Sequence, residues 1–445
     1  MNLIKFQILF LFLFSLGAFA NSTDELLEAS FAGDLKKAKL AIKKGADVNG
    51  AYKTVFESKL TNERIYIGYS AGTPPITIAT GENHIDIVKL LLANKAKVNK
   101  PSKRGTIALM VASGNNRLEI AKLLIENKAN VNQEVICIDC SDKGMTPIFK
   151  AVQSQNLEIT KLLIENKAKI DGFSGIRTTP LIRACAANDT KMIKYLIQNN
   201  AILDVKDEFE TTPLMHAVMH QNLELVKIFI EKKVDVNAAQ NQGHTALTYA
   251  VRKLNLEIAK LLIENKANVN YKNKIRNDET MLLSAIDNYS IDMVKLLLEN
   301  NADPNVPNDK NLTPLKLAVR NDNVNMVKLL LEFKADSNKK RETDVYPLLI
   351  ASENGNVEMV KILLDKNADI NLRDDNGNTA LTTATNSGRI EIVKLLLERK
   401  ADTTIANHNK ETAFDIAKKR DNKEILGLLR PAEDTKTIAP EKVTP

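Results

Sequence analysis

An alanine returns along this chain with a nearly fixed step. It stands at Ala29, Ala79, Ala112, Ala151, Ala184, Ala217, Ala250, Ala285, Ala318, Ala351, Ala384 and Ala417. Most steps are 33 residues; the exceptions of 50, 39 and 35 are one period plus 17, 6 and 2. Such a period argues against one compact core and for a stack of similar units, each burying its apolar face against its neighbours. The string KLLIENKANVN, written at Lys122–Asn132 and again at Lys260–Asn270, obeys the same ruler: its separation of 138 is four periods plus six.

Within a period the residues spell two short helices. In TTPLMHAVMHQNLELVKIFIEKKVDVN, Thr212 is placed to cap free N–H groups, and Pro213 sits where its missing N–H costs nothing. About eight helical residues follow, too few to persist alone. After a Gln-Asn or Gly-Asn turn comes a second helix, such as Leu256 to Glu264. Its apolar residues Ile258, Leu261 and Leu262, with Ala259 and Ile263, make a stripe wide enough for partners on both sides. The slot of Glu224, acidic also at Glu119, Glu158, Glu257, Glu358 and Glu391, reads as capping of this second helix.

The unit resembles the ankyrin repeat. Gly377, Thr379, Leu381, Ala384 and EIVKLLLERKAD from Glu391 carry the likeness, as do Thr313-Pro314-Leu315 and Thr179-Pro180-Leu181. The resemblance implies an all-α ankyrin-repeat solenoid of about twelve helix-turn-helix units with β-turn or hairpin fingers. It also implies protein binding through the turn tips and the inner surface of the first helices. Two departures stand out. The family's His after Thr-Pro-Leu is replaced by Met215, Ile182, Thr248, Lys316 and Leu349. The family's Gly after helix two survives as Gly45 alone. Elsewhere that slot, which resembles a left-handed cap, holds Lys (Lys128, Lys266) or Asn (Asn200, Asn301, Asn367).

The expected organisation is a signal peptide at 1–20, an N-terminal capping repeat at 21–49, an insertion or hairpin finger at 50–72, repeats two to eleven at 73–406, a C-terminal capping repeat at 407–430, and a disordered tail at 431–445. The signal reading rests on Lys5, the apolar run Ile8 to Leu16, and Ala18-Phe19-Ala20 as a cleavage site before Asn21. It predicts an exported, periplasmic protein, or alternatively a secreted one, with no membrane insertion after cleavage. Formal net charge is +7, and removing Lys5 leaves +6 spread among interspersed signs, a solvated surface rather than a nucleic-acid stripe.

No nucleophile elbow, phosphate loop or metalloprotease motif occurs, so the chain is expected to be neither an enzyme nor a cofactor binder. Cys137 and Cys140, inside the six-residue insertion, read as a small-loop disulfide. A redox pair or part of a zinc site are the alternatives. Cys185 reads as a buried thiol. His216, His220 and Glu224 share helical spacing suited to a metal, although the capping reading of Glu224 needs none. The insertion AYKTVFESKLTNERIYIGYS concentrates Tyr52, Phe56, Tyr66 and Tyr69 and reads as a hairpin, either packed on its own repeats or presented to a partner.

The partner surface implied by the resemblance comprises the tips before each helix pair and the ends of the first helices. These slots are mostly small or polar, as at Gln153-Ser154, Ala186-Ala187 and Asn386-Ser387. Units five to eight differ: their tips carry Ile176, Glu208, Phe209 and Arg276, and their inner helix ends carry Met219, His220, Arg252 and Lys253. Aromatic, Met and Arg side chains are the types that anchor interfaces. The expected protein is a monomeric scaffold for a protein partner. Alternatives are a secreted effector binding host proteins, or a redox or metal-handling accessory using Cys137 and Cys140.

Overall fold

The computed structural model describes residues 22–51, 72–136, 143–172, 174, 177–339 and 345–430. The signal sequence with Ala20 and Asn21, most of the aromatic insertion, Cys137, Cys140, Ile176 and the tail lie outside these residues. The chain divides after His220 into two compact units. Among the described residues the first unit contains 11 helices, from Ser22–Ala32 to Pro213–Met219, and the second 13, from Leu223–Glu231 to Lys423–Leu429. The fold class is all-α.

Short and long helices alternate because the sequence starts and stops them in register. Ten of the twelve described first helices have seven residues, and seven of the twelve begin at Pro or Ala after a Thr. The Thr hydroxyl accepts the third helical N–H, as Thr212 does from Met215 and Thr313 from Lys316. Second helices have nine residues, Leu256–Glu264 among them, except the last, Lys423–Leu429, which has seven. Their caps differ from expectation. The acidic residue sits in the first turn without capping it. Where a side chain caps the helix it is the preceding polar residue: Asn222, Asn255, Asn323 and Asn356 accept the N–H three residues on, whereas Arg117, Asn156 and Arg389 make no such bond. Glu119, Glu158 and Glu391 instead pair with Lys122, Lys161 and Lys394 three residues later, which adds little at an exposed surface.

The periodic alanines explain the stacking. Ala29, Ala79, Ala112, Ala151, Ala184 and Ala217 in the first unit, and Ala250, Ala285, Ala318, Ala351, Ala384 and Ala417 in the second, are all buried. Each lies in a first helix, and first helices pack on the first helices before and after them within each unit. A larger side chain there would push whole layers apart. Of the expected stripe on Leu256–Glu264, Ile258, Ala259 and Leu262 are buried, while Leu261 and Ile263 are half-buried.

The left-handed caps after helix two are present as expected. Lys95, Lys128 and Lys167 in the first unit, and Lys233, Lys266, Lys334 and Lys400 in the second, have φ between 59° and 68°. The carbonyl behind this strained residue receives a hydrogen bond from the repeat before. Asn99 donates Nδ2–H to the Lys128 carbonyl at 3.1 Å, and its Oδ1 accepts the Asn130 N–H at 2.7 Å. Asn132 does the same to Lys167 and Lys169. In the second unit Asn237, Asn270, Asn305 and Asn338 repeat both bonds. These last letters of each KANVN-like string form an asparagine ladder joining repeat to repeat.

At the slot where the family has His, apolar Met215, Ile182 and Leu349 are simply buried. Thr248 and Thr382 turn back instead, completing reciprocal caps with Thr245 and Thr379. Hydrogen bonding between repeats is carried largely by asparagine.

Candidate functional site

Among the described residues, several fingers before first helices are braced by one polar side chain at the base: Asp207, Asn308, Asp374 and Asn407 each accept two N–H groups of their own finger. In the first unit, Asp207 donates its N–H to Thr211 O, and its Oδ1 accepts the N–H groups of Phe209 and Thr211 at 2.9 and 2.8 Å. Glu210 closes the turn at φ 61° and pairs with Lys206 at 2.9 Å. This arrangement holds Phe209 outward, 60 % exposed. Glu208 beside it is also exposed. Behind the finger, His216 Nε2 lies 3.7 Å from Asp207 Oδ2. Burial lowers the pKa of His216, outweighing the Asp207 charge that raises it. His220 donates from Nε2 to the Ala186 carbonyl at 3.0 Å, and Met219 is half-buried. The structure therefore gives His216 a carboxylate neighbour and His220 a carbonyl.

In the second unit, Arg252 ends the helix Ala246–Arg252, and Lys253 follows it, exposed. Arg252 donates from Nη1 to Nε2 of buried His244 at 3.2 Å. Burial and the nearby Arg252 and Arg276 charges lower the His244 pKa, so the ring stays neutral and can accept this bond. Arg276 lies on the next finger, the one lengthened by two residues. Its Nε is 3.4 Å from Glu279 Oε2. This finger is closed by antiparallel strands Lys272–Asn273 and Glu279–Thr280, with Asn277 and Asp278 both left-handed at its tip. The tip presents Ile275, 68 % exposed, which sequence reasoning passed over. Its signal was the 35-residue step, which places extra residues here.

The second unit also holds a cavity of about 380 Å³ against the ends of its last first helices, lined by Asn378, Thr383, Asn386, Ser387, Glu411 and Arg420 among others. Asn386 and Ser387, read from sequence as plain polar slots, are thus part of a concave wall. Arg420 reaches Asn386 Oδ1 from two nitrogens, and Lys419 pairs with Glu411 at 2.7 Å. Among the described residues, no three His, Cys, Asp or Glu side chains are grouped to hold a metal ion, and no helix is long and apolar enough to cross a membrane. Cys185 is buried, and burial pushes its thiol pKa well up, leaving it protonated.

The family described as ankyrin repeats in three copies matches residues 26–135, 133–207, 199–273, 267–341 and 348–438. The chain belongs to the ankyrin-repeat family. Ankyrin arrays are scaffolds for protein–protein interaction. Among solved structures, the ankyrin repeat domain of Bcl-3, described as a unique member of the IkappaB protein family, is 28 % identical. The match covers 50 % of this chain and 99 % of that domain, with a TM-score of 0.45. No curated protein matches the chain. Within this ankyrin array, finger tips that carry an apolar side chain stand out. At the described tips Gly105, Gly243, Gly377 and Lys410 the preceding slot holds Arg104, Gln242, Asn376 and Asn409, whereas Phe209 and Ile275 are exposed hydrophobics.

Proposed function

We propose that this chain is an exported, non-enzymatic scaffold that binds a protein partner through its finger tips and inner helix ends. Phe209 carries the reading. A finger braced by Asp207 holds a large aromatic side chain in water, where it gains nothing for the fold. Pre-ordered aromatic side chains bind at low entropic cost. Glu208, Met219 and His220 would flank it in the first unit, with Ile176 assigned from sequence alone. Ile275, Arg276, Arg252 and Lys253 offer apolar and basic groups in the second. The N-terminal segment with its apolar run and Ala18-Phe19-Ala20 supports export, periplasmic in the leading reading, and cell fractionation reads it directly.

The test is affinity capture with the chain lacking residues 1–20, followed by titration of the purified partner. Phe209→Ala should weaken binding by more than 1 kcal/mol, a hot-spot effect, and leave the melting temperature unchanged. Gln153→Ala, on an ordinary polar helix end, should do nothing. Equal, negligible effects of the two would remove the finger from the binding surface.

A further inference from the structure

His244 joins a helix end of the second unit to two fingers. It closes its own finger, where its carbonyl accepts the Gln240 N–H at 3.0 Å, and it is 3 % exposed. Both ring nitrogens face donors: Arg252 Nη1 lies 3.2 Å from Nε2, and Asn273 Nδ2 lies 3.5 Å from Nδ1. The Asn273 amide is oriented by two further bonds. Its Nδ2 donates to the Gln242 carbonyl at 3.0 Å, and its Oδ1 accepts the Ile275 N–H at 3.1 Å. Asn273 thus ties the finger of His244 to the next one, whose tip presents Ile275 and Arg276.

A neutral imidazole has one acceptor nitrogen. The charged guanidinium is the stronger donor and the nearer one, so Nε2 accepts from Arg252 and Nδ1 keeps the proton. An imidazolium has no acceptor at all, and would turn an N–H toward each donor. The charged groups around it give no relief. Arg252 stands at the end of the helix Ala246–Arg252 and Arg276 on the next finger. Both charges oppose a proton on the ring, although Arg276 is partly offset by Glu279 at 3.4 Å. Tyr249 is the other titratable neighbour, its ring centroid 5.4 Å away and its hydroxyl accepting from Gln240 Nε2. His216 differs, because there the Asp207 carboxylate stands by to offset the charge.

We propose that His244 is a proton-operated clasp: neutral, it holds Arg252 at its helix end and steadies Asn273 between the fingers; protonated at Nε2, it releases both. The incoming proton takes the lone pair that Arg252 used, so that hydrogen bond breaks. Arg252 then turns away from the new charge, and the finger bearing Ile275 and Arg276 loses a brace. Burial and the two arginine charges lower the His244 pKa, so the clasp is closed at pH 7.5 and opens only well below the ordinary value of about 6.5. Binding through this part of the surface should weaken in acid, because loosened side chains must be ordered again on contact. That consequence rests on the partner reading above; the clasp itself does not.

The test uses the full chain alone, isotopically labelled at histidine and arginine and followed by NMR from pH 7.5 to pH 5. The His244 ring should titrate below free histidine. Its midpoint should rise in Arg252→Gln, which removes one opposing charge. In the wild type the Arg252 guanidinium signals should be resolved at pH 7.5 and collapse to the solvent-averaged position as His244 titrates. The Ile275 amide, corrected for the intrinsic pH dependence of exchange, should lose protection about five-fold, the scale of one hydrogen bond. In His244→Gln the side-chain oxygen still accepts from Arg252 but does not titrate, so neither change should occur. An unchanged midpoint in Arg252→Gln, Arg252 signals indifferent to the titration, or equal loss of Ile275 protection in His244→Gln would each overturn the clasp. If His244→Gln does not fold, the Arg252→Gln titration decides alone. None of these readouts involves a partner. The clasp can therefore fail while Phe209→Ala still weakens capture, or stand while Phe209→Ala does nothing.

Discussion

Replacing Asn270 by Ala should loosen one joint of the second unit and leave the rest intact. Asn270 sits at the end of a repeat, and its side chain makes two bonds to the next: Oδ1 accepts the Asp303 N–H and Nδ2 donates to the Asn301 carbonyl, both at 2.9 Å. Each is a neutral hydrogen bond at an exposed edge, contributing about 0.5–1 kcal/mol net because water competes for both partners. Losing both should cost about 1–2 kcal/mol. Asn265→Ala is the matched control, since Asn265 donates one bond to Leu261 O inside its own repeat. It should cost about half as much or less. Urea unfolding gives the totals. Hydrogen exchange gives the location: the Asp303 amide should lose protection, and amides three repeats away should not. A cost for Asn270→Ala no larger than for Asn265→Ala would refute the view that asparagine couples the repeats. So would loss of protection spread evenly over the unit.

Lys128→Gly and Lys266→Gly, each at φ 68°, should stabilise by about 1 kcal/mol, less the helix-end charge interaction lost; chemical denaturation reads this, and a clear loss of stability would contradict the cap assignment. The depressed pKa of His216 and of His244 means that the fold prefers both rings neutral. Their contribution is therefore present above the unfolded value of about 6.5 and is lost as pH falls through the folded values; urea midpoints should drop between pH 7.5 and pH 5, and less steeply in His216→Gln. Ending the chain after His408 removes the helices Ala413–Lys419 and Lys423–Leu429 with buried Ile416, Ala417 and Ile425; solubility should fall and exchange protection should fray in the last two or three repeats only, and uniform loss of protection would contradict this.

Much of the fold can be read before any coordinates are known, because a strict period reports burial directly. The Ala slots, the Thr–Pro starts and the Leu256–Glu264 limits all follow from which residues recur. Features that depend on the next repeat's atoms do not. KANVN is visible as a repeated string, yet nothing in the string shows that Asn132 Oδ1 meets the Lys169 N–H at 2.7 Å. The same limit explains the capping error. Glu224, Glu257 and Glu358 have the right charge for a helix start, but the first-turn geometry gives the hydrogen bond to Asn222, Asn255 and Asn356. Arg252 was legible as a basic residue at a helix end, whereas its bond to His244 required the fold of a finger eight residues earlier. Leu254 and Tyr289 escaped notice as left-handed turn residues, at φ 54° and 56°, because an apolar residue in a turn carries no sequence mark of positive φ.

The asparagine ladder also bears on why one string of eleven residues can be written twice. Lys122–Asn132 contains both halves of the joint. Its Lys128 carbonyl and Asn130 N–H receive from Asn99, and its terminal Asn132 offers the same pair of contacts onward. The contact is head-to-tail, with unlike surfaces meeting at every step, and such contacts can be continued from one unit to the next. A segment with that property is a complete part, not a fragment. It can be copied into a new place without redesigning either neighbour, since whatever stands next already has the matching half. Growth by duplication is then chemically neutral at the joint, and novelty collects where the joint imposes nothing: at the finger tips, and at the turns between helices where this chain keeps Leu254 and Tyr289.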